Sequence, residues 1–239
     1  MYLGPAPLKA YNPNRHVFRY RWFYDYGGGQ LTDNGVHFLD LIQWGLGQDA
    51  AESVTAIGGK YTLEDNRETP DTMQTLWQFP GQSLVSFTQY SASAAPISNT
   101  RPFLAEFRGT KATMYVFFDG WEIVPERNPT LDRPAVSPLD RNRSRQYRES
   151  FRPAMEGRNA KGSADPRFHI RNFLDCIKSR AKPNCDIETA HRSTTTANIG
   201  NIALKTKRHL QWDRTTEKFV NDARADEYLS YEYREPWSL

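Results

Sequence analysis

Hydrophobic and polar positions change period several times along this chain. Over 30–46, Leu31, Gly35, Phe38, Leu39, Ile42 and Leu46 recur on one face of a helix, and Gly45 and Gly47 are placed to end it. From 53 to 125 the period shortens. Ser53–Tyr61, Thr72–Phe79, Ser83–Ser91, Phe103–Arg108, Lys111–Phe117 and Trp121–Val124 are short runs rich in Val, Thr, Phe, Tyr and Trp, with turn residues Pro80-Gly81 and Gly109-Thr110 between neighbours. Gln74, Leu76 and Gln78 alternate with Thr75, Trp77 and Phe79, which predicts a sheet with one covered and one wetter face. Helical spacing returns at 166–180 through Phe168, Ile170, Phe173, Leu174 and Ile177, opened by Pro166. A second late helix is expected from Ile187 to about Lys205, then a short strand at Leu210–Asp213 and a helical turn or two in Asp226–Tyr233.

The expected class is therefore α+β: an open, largely antiparallel sheet with helices packed on one face. Two stretches stand apart. Residues 1–29 carry Gly4-Pro5 and Asn12-Pro13 and read as an irregular packed arm, leaving 30–239 as the main domain. Residues 126–165 are a long polar excursion, of a length that marks either a functional loop or an arm for a neighbouring subunit.

Composition narrows the function classes. Of 239 residues, 38% are hydrophobic but 13% are aromatic, enough large side chains to build a core. The net charge is +3, and the densest basic run, Asp140–Arg152, is mixed with acidic, Asn and Ser residues, so a solvated loop is expected rather than a nucleic-acid surface. Cys176 and Cys185 fit no zinc or redox spacing and no His/Cys/Asp/Glu cluster has metal spacing, so no metal site is expected. No apolar run approaches membrane-spanning length, and Met1–Ala10 has no secretory pattern, which leaves the compartment open.

Candidate chemistry gathers at the start of the first helix. Gly27-Gly28-Gly29 lacks G-x-G-x-x-G spacing and follows no apolar strand, so it does not read as a dinucleotide cradle; the glycines instead suit close backbone approach. Asp33, His37 and Asp40 fall at i, i+4 and i+7 on a face different from the apolar one. A carboxylate one turn from an imidazole can orient it for proton transfer with a hydroxyl, whereas a capping Asp and a structural His fit the same spacing. Arg15, Arg21 and Tyr26 nearby, with Trp22, are the residue types that hold hydroxyl-rich ligands, and equally those that pack an arm. Asp71 and Thr72 lie in a polar turn where they could bond local amides, and His191 lies near the start of a helix beside Glu188 and Arg192.

Several of these motifs, in this order, resemble one family. The run Gly28–Asp40 is similar to the Asp-x-x-x-His helix of the glucose–fructose oxidoreductase/inositol dehydrogenase (Gfo/Idh/MocA) family. Leu3–Pro7 with Tyr11–Arg15, then Arg67–Thr72, then Phe173–Arg180 leading into Cys185–Glu188 and His191–Ser193, resemble one bacterial branch of it, from just after its nucleotide-binding domain. The resemblance implies the C-terminal domain of an NAD- or NADP-dependent oxidoreductase acting on a secondary hydroxyl of a sugar, polyol or glycoside. It implies His37 as the proton-transfer residue with Asp33 as its partner. Arg15, Arg21, Tyr26, Asp71, Thr72 and His191 become substrate contacts, and the sheet face a surface for homo-oligomers. The family's Glu-Lys-Pro motif and its Rossmann domain are missing from this sequence, so no cofactor is expected to bind this chain alone and activity alone is not expected. Two other outcomes stay open: a non-catalytic carbohydrate-binding or dimerisation module, and the matching half of an NAD-dependent glycoside hydrolase.

Overall fold

The computed structural model describes residues 3–92, 102–126, 153 and 155–238. Two compact units divide the chain, one spanning 1–95 and 184–239, the other 96–183. The α+β class and the open antiparallel sheets are as the patterns predict.

In the first unit, helix α1 (Gly29–Asp33) and helix α2 (Gly35–Leu46) precede strands β1 (Ser53–Gly59), β2 (Thr72–Phe79) and β3 (Ser83–Tyr90). After the second unit come helix α4 (Ile187–Thr206), strands β8 (Leu210–Asp213) and β9 (Lys218–Phe219), and the short helix α5 (Ala223–Asp226). The five strands run in the order β3-β2-β1-β8-β9. In β2, Met73, Thr75, Trp77 and Phe79 point inward and Gln74, Leu76 and Gln78 outward, as the alternation requires. The inward residues meet Leu31 and Leu39 from α1 and α2 and Ile199 and Ala203 from α4 in one core. Trp77 is fully buried, and its indole N–H donates to the Thr196 carbonyl at 3.1 Å, which removes the one polar liability of that ring. Helix α4 is capped by Asp186, which accepts from the Thr189 amide, and it ends at Lys207 in the left-handed conformation. The opposite sheet face is open, with Ile57, Leu76 and Leu84 exposed.

In the second unit, β4 (Ala105–Arg108), β5 (Ala112–Phe117), β6 (Gly120–Pro125) and β7 (Arg158–Lys161) form a separate four-stranded antiparallel sheet in that order, and helix α3 (Pro166–Ser179) follows, capped by Asp165.

Three local expectations are corrected. The helix expected over 30–46 is two helices that meet at Asn34. The expected polar excursion of 126–165 lies largely outside the described residues, but its C-terminal part contains β7. That strand has four exposed residues and no apolar alternation, so only its backbone pairing with β6 identifies it. The final helix is Ala223–Asp226 and does not continue to Tyr233, because Asp222 caps its start and Asp226 turns back to accept from the Phe219 amide.

Candidate functional site

The glycine run earns its place through close packing. The Gly27 amide donates to the Phe23 carbonyl and the Gly28 amide to Thr32 Oγ1, both at 2.9 Å, while the Gly28 carbonyl accepts from Asn201 Nδ2 at 2.8 Å. Gly29 has φ +72, and a Cβ there would sit 2.8 Å from the Cβ of the buried Thr69. Gly29→Ala is therefore expected to destabilise the first unit by roughly 2 kcal/mol or more, from left-handed strain plus the clash. Chemical denaturation of the variant measures this. These bonds also leave the Gly27 and Gly28 amides engaged inside the protein, with no strand leading into them. The run does not fit a dinucleotide phosphate.

Asp33 closes α1, and the chain passes through Asn34 before α2 begins. The carboxylate of Asp33 does not bond His37. It pairs with Arg21, with Nη1 and Oδ2 at 2.5 Å and both side chains about a quarter exposed. A permanently charged guanidinium is a stronger partner for a carboxylate than an imidazole that is neutral part of the time, and the break at Asn34 removes the straight helical turn that would have aligned the two. His37 lies in the first turn of α2. Its amide donates to the Asn34 carbonyl at 3.1 Å, while its side chain is exposed and forms no hydrogen bond among the described residues.

The remaining candidates divide. Tyr26 keeps a buried hydroxyl without a partner among the described residues, and so does Thr69, which Gly29 touches. The Arg15 guanidinium lies 4.8 Å over the Phe23 ring, and that of Arg67 4.9 Å over Trp22, so arginine stems and aromatic faces hold the arm together. Asp71 and Thr72 are engaged within the protein. Asp71 is fully buried, accepts from the amides of Tyr61, Thr62 and Leu63, and takes the Thr72 hydroxyl at 2.9 Å. Those donors, the Leu63 amide foremost, hold its carboxyl well below the usual carboxylate range despite burial. Every lone pair it could offer a ligand is committed to the loop. His191 is exposed and bonds Glu217 through Nε2 at 2.8 Å, beside Arg192, which reaches both Glu188 and Glu217. No hydrogen bond or ion pair joins Asp71, Thr72 or His191 to Asp33 or His37 among the described residues.

Sequence reasoning missed two features. Lys205 lies 3.9 Å over the Tyr24 ring; burial lowers its ammonium, and burial with the Glu68 charge pushes the Tyr24 hydroxyl up to about 12. The second is an open groove of about 900 Å³ between the C-terminal half of α2 and the start of α4. Ser193 donates to Asp40 across it at 2.8 Å, and Arg214 pairs with Asp49 at 2.7 Å. Cys185 lines it, its thiol raised first by burial and then by the charges of Asp40 and Asp186. The available signal was Trp44, seven residues beyond His37 and so on the same helical stripe. Among the described residues no three His, Cys, Asp or Glu side chains gather to hold a metal, and no helix is long and apolar enough to cross a membrane.

Comparison with known proteins adds a family. No curated protein matches the chain. Among solved structures, an NAD-binding protein from Listeria innocua is 18% identical with a TM-score of 0.53, the match covering 80% of this chain and 50% of that one. The WlbA dehydrogenase from Bordetella pertussis, solved with NADH and UDP-GlcNAcA, is 15% identical with a TM-score of 0.48 over 82% of this chain and 49% of its own. At 18% identity the Listeria innocua likeness is one of fold, and this chain spans about half the length of either protein. The family described as the oxidoreductase family, C-terminal alpha/beta domain, matches residues 1–78 and 109–239. With that match over most of its length, the chain belongs to the Gfo/Idh/MocA oxidoreductases and carries their C-terminal alpha/beta domain.

Proposed function

We propose that this chain is the substrate-binding half of an NAD(P)-dependent oxidoreductase acting on a secondary hydroxyl of a sugar, polyol or glycoside. The observation that carries this reading is His37: a solvent-facing imidazole at the start of α2 that forms no hydrogen bond among the described residues, following α1, whose last residue Asp33 is paired with Arg21. A neutral imidazole free of internal partners is available to take a proton from a substrate hydroxyl. Arg21 and Asp33 then act together as a fixed polar edge. Asp33 sets the position of Arg21 in this scheme, and its effect on His37 is through the local backbone.

The redox step needs a nicotinamide as hydride acceptor, and the glycine run does not fit one. Support for NAD comes from the Listeria innocua relative, which is an NAD-binding protein of about twice this span. The reading therefore requires a separate nucleotide-binding domain, and the chain alone is inactive. The test is turnover on a panel of sugars and polyols with NAD and NADP, with the chain alone and joined to a family nucleotide-binding domain. Activity confined to the joined protein and lost in His37→Ala supports the reading; turnover indifferent to His37 removes it.

We also propose that the open face of the first sheet joins two copies of the chain. Ile57 and Leu84 are 77% and 72% exposed on that face, a patch unlike a solvated surface. Ile57→Asp with Leu84→Asp is expected to shift sedimentation from dimer to monomer; a wild-type monomer rules the dimer out.

A further inference from the structure

One residue near the C-terminus grips the beginning of the arm. The Arg234 guanidinium donates from Nε to the Ala6 carbonyl at 2.9 Å and from Nη2 to the Gly4 carbonyl at 2.7 Å. The Arg234 amide donates to the Pro5 carbonyl at 2.9 Å. Three successive carbonyls are thus taken by a single residue more than two hundred positions away. Arg234 forms no ion pair with a carboxylate among the described residues, so its charge is spent on backbone oxygens, and bonds from a charged donor are the stronger kind. The gripped segment is stiff, because Pro5 and Pro7 fix two of its φ angles on either side of Ala6, which is buried.

Both sides of this contact are rooted in the first unit. On the tail side, Ala225 of α5 is fully buried in the core, and the Trp237 amide donates to the Arg234 carbonyl at 3.0 Å, turning the chain at that point. On the arm side, Lys9 pairs with Asp25, and Arg21 with Asp33, the last residue of α1. A continuous run of contacts therefore leads from α5 through Arg234 and the arm to α1, and α2 with His37 follows. The same segment is where a C-terminal domain of this family is entered, since the family match begins at residue 1. A domain joined there swings freely if the segment is loose and keeps one direction if it is held. Hydride transfer depends on that direction, because a misplacement of about 1 Å between reacting atoms can cost about 10²-fold in rate.

We propose that Arg234 is a positioning residue: it latches Gly4–Ala6 to the body of the first unit and so fixes the direction in which a nucleotide-binding domain is held relative to His37. The proposal rests on the reading of the chain as one half of a hydride-transferring enzyme. Arg234 touches neither substrate nor cofactor in this scheme. It acts through the backbone it holds.

The test has three readouts on the parent, Arg234→Ala and Arg234→Lys. In the 239-residue chain, amide exchange at Ala6 is expected to quicken about tenfold or more in Arg234→Ala, with Arg234→Lys between the two because an ammonium lacks the fork that reaches both carbonyls. In the chain joined at its N-terminus to a family nucleotide-binding domain, small-angle scattering of Arg234→Ala should show a larger maximum dimension. Turnover of that joined variant should fall about tenfold or more, with NADH affinity within about twofold of the parent and the melting temperature unchanged. A merely structural role would lower the melting temperature and leave turnover per folded molecule alone. The proposal is overturned if Ala6 exchanges alike in parent and Arg234→Ala, if the maximum dimension does not change, or if turnover holds while exchange quickens. A joined parent with no turnover on any sugar or polyol removes the enzyme reading instead, and the latch is then decided by exchange and scattering, which need no turnover.

Discussion

Turnover of the enzyme completed with a nucleotide-binding domain is expected to fall about 10²- to 10⁴-fold in His37→Ala, the range that general acid–base residues contribute. The stability of the variant should hardly move. The His37 side chain is exposed and has no hydrogen bond among the described residues, so removing it takes nothing from the core, and a change within about 0.5 kcal/mol is expected. This pairing of results is what separates a chemical role from a structural one. A His that caps or buttresses would show the reverse, with lower stability and turnover reduced only in proportion to folded protein. The measurements are initial rates under saturating sugar and thermal unfolding of the same preparation. Arg21→Ala gives an internal contrast, since it breaks the ion pair with Asp33 and leaves the imidazole in place.

The second large effect is on stability. Asp71→Ala removes the acceptor for the amides of Tyr61, Thr62 and Leu63 and for the Thr72 hydroxyl at once. Bonds to a charged acceptor are the stronger kind, and part of the loss is recovered when the loop amides meet water, so about 2–4 kcal/mol is expected. In a unit of this size that corresponds to roughly 5–15 °C in melting temperature. Asp71→Asn should fall between the two, keeping an acceptor but losing its charge. The same carboxylate makes stability depend on pH. Its pKa in the folded protein is depressed, so the folded state binds fewer protons than the unfolded one. Its contribution is complete above the unfolded value of about 4 and declines as pH falls below that. The acid limb of the stability curve should therefore flatten in Asp71→Asn, and urea midpoints at a series of pH values would show it.

How much of this was legible depended on whether burial or backbone geometry made each feature. The alternation in Thr72–Phe79 announced β2 because one face had to meet α2 and α4, and the apolar stripe announced α2 for the same reason. Strand β7 buries nothing, so its four residues carried no pattern. The break at Asn34 was hidden because Asp33, Asn34 and Gly35 keep helical spacing of apolar neighbours across it. Side-chain partnerships were less readable still. Spacing offered Asp33 to His37, but the arm folds Arg21 back onto it from twelve residues upstream, a choice that only tertiary structure makes. Asp71 reads as a turn residue bonding local amides, but its carboxylate reaches back to the amides of Tyr61, Thr62 and Leu63, which no local pattern announces. Gln43 is a polar residue buried among the apolar positions of α2, a contradiction visible in the helical pattern itself.

The position of β1 has a further consequence. Its two neighbours in the sheet come from opposite ends of the sequence: β2 follows within a loop, whereas Val54 meets Leu210 only after the whole second unit has been made. On the ribosome, the β1–β3 meander must therefore wait with its apolar side covered only by α1 and α2 while residues 96–183 emerge and until α4 arrives to complete the core. The interval is a window for self-association, and shortening or deleting the intervening stretch should raise the yield of native chain from refolding at high concentration.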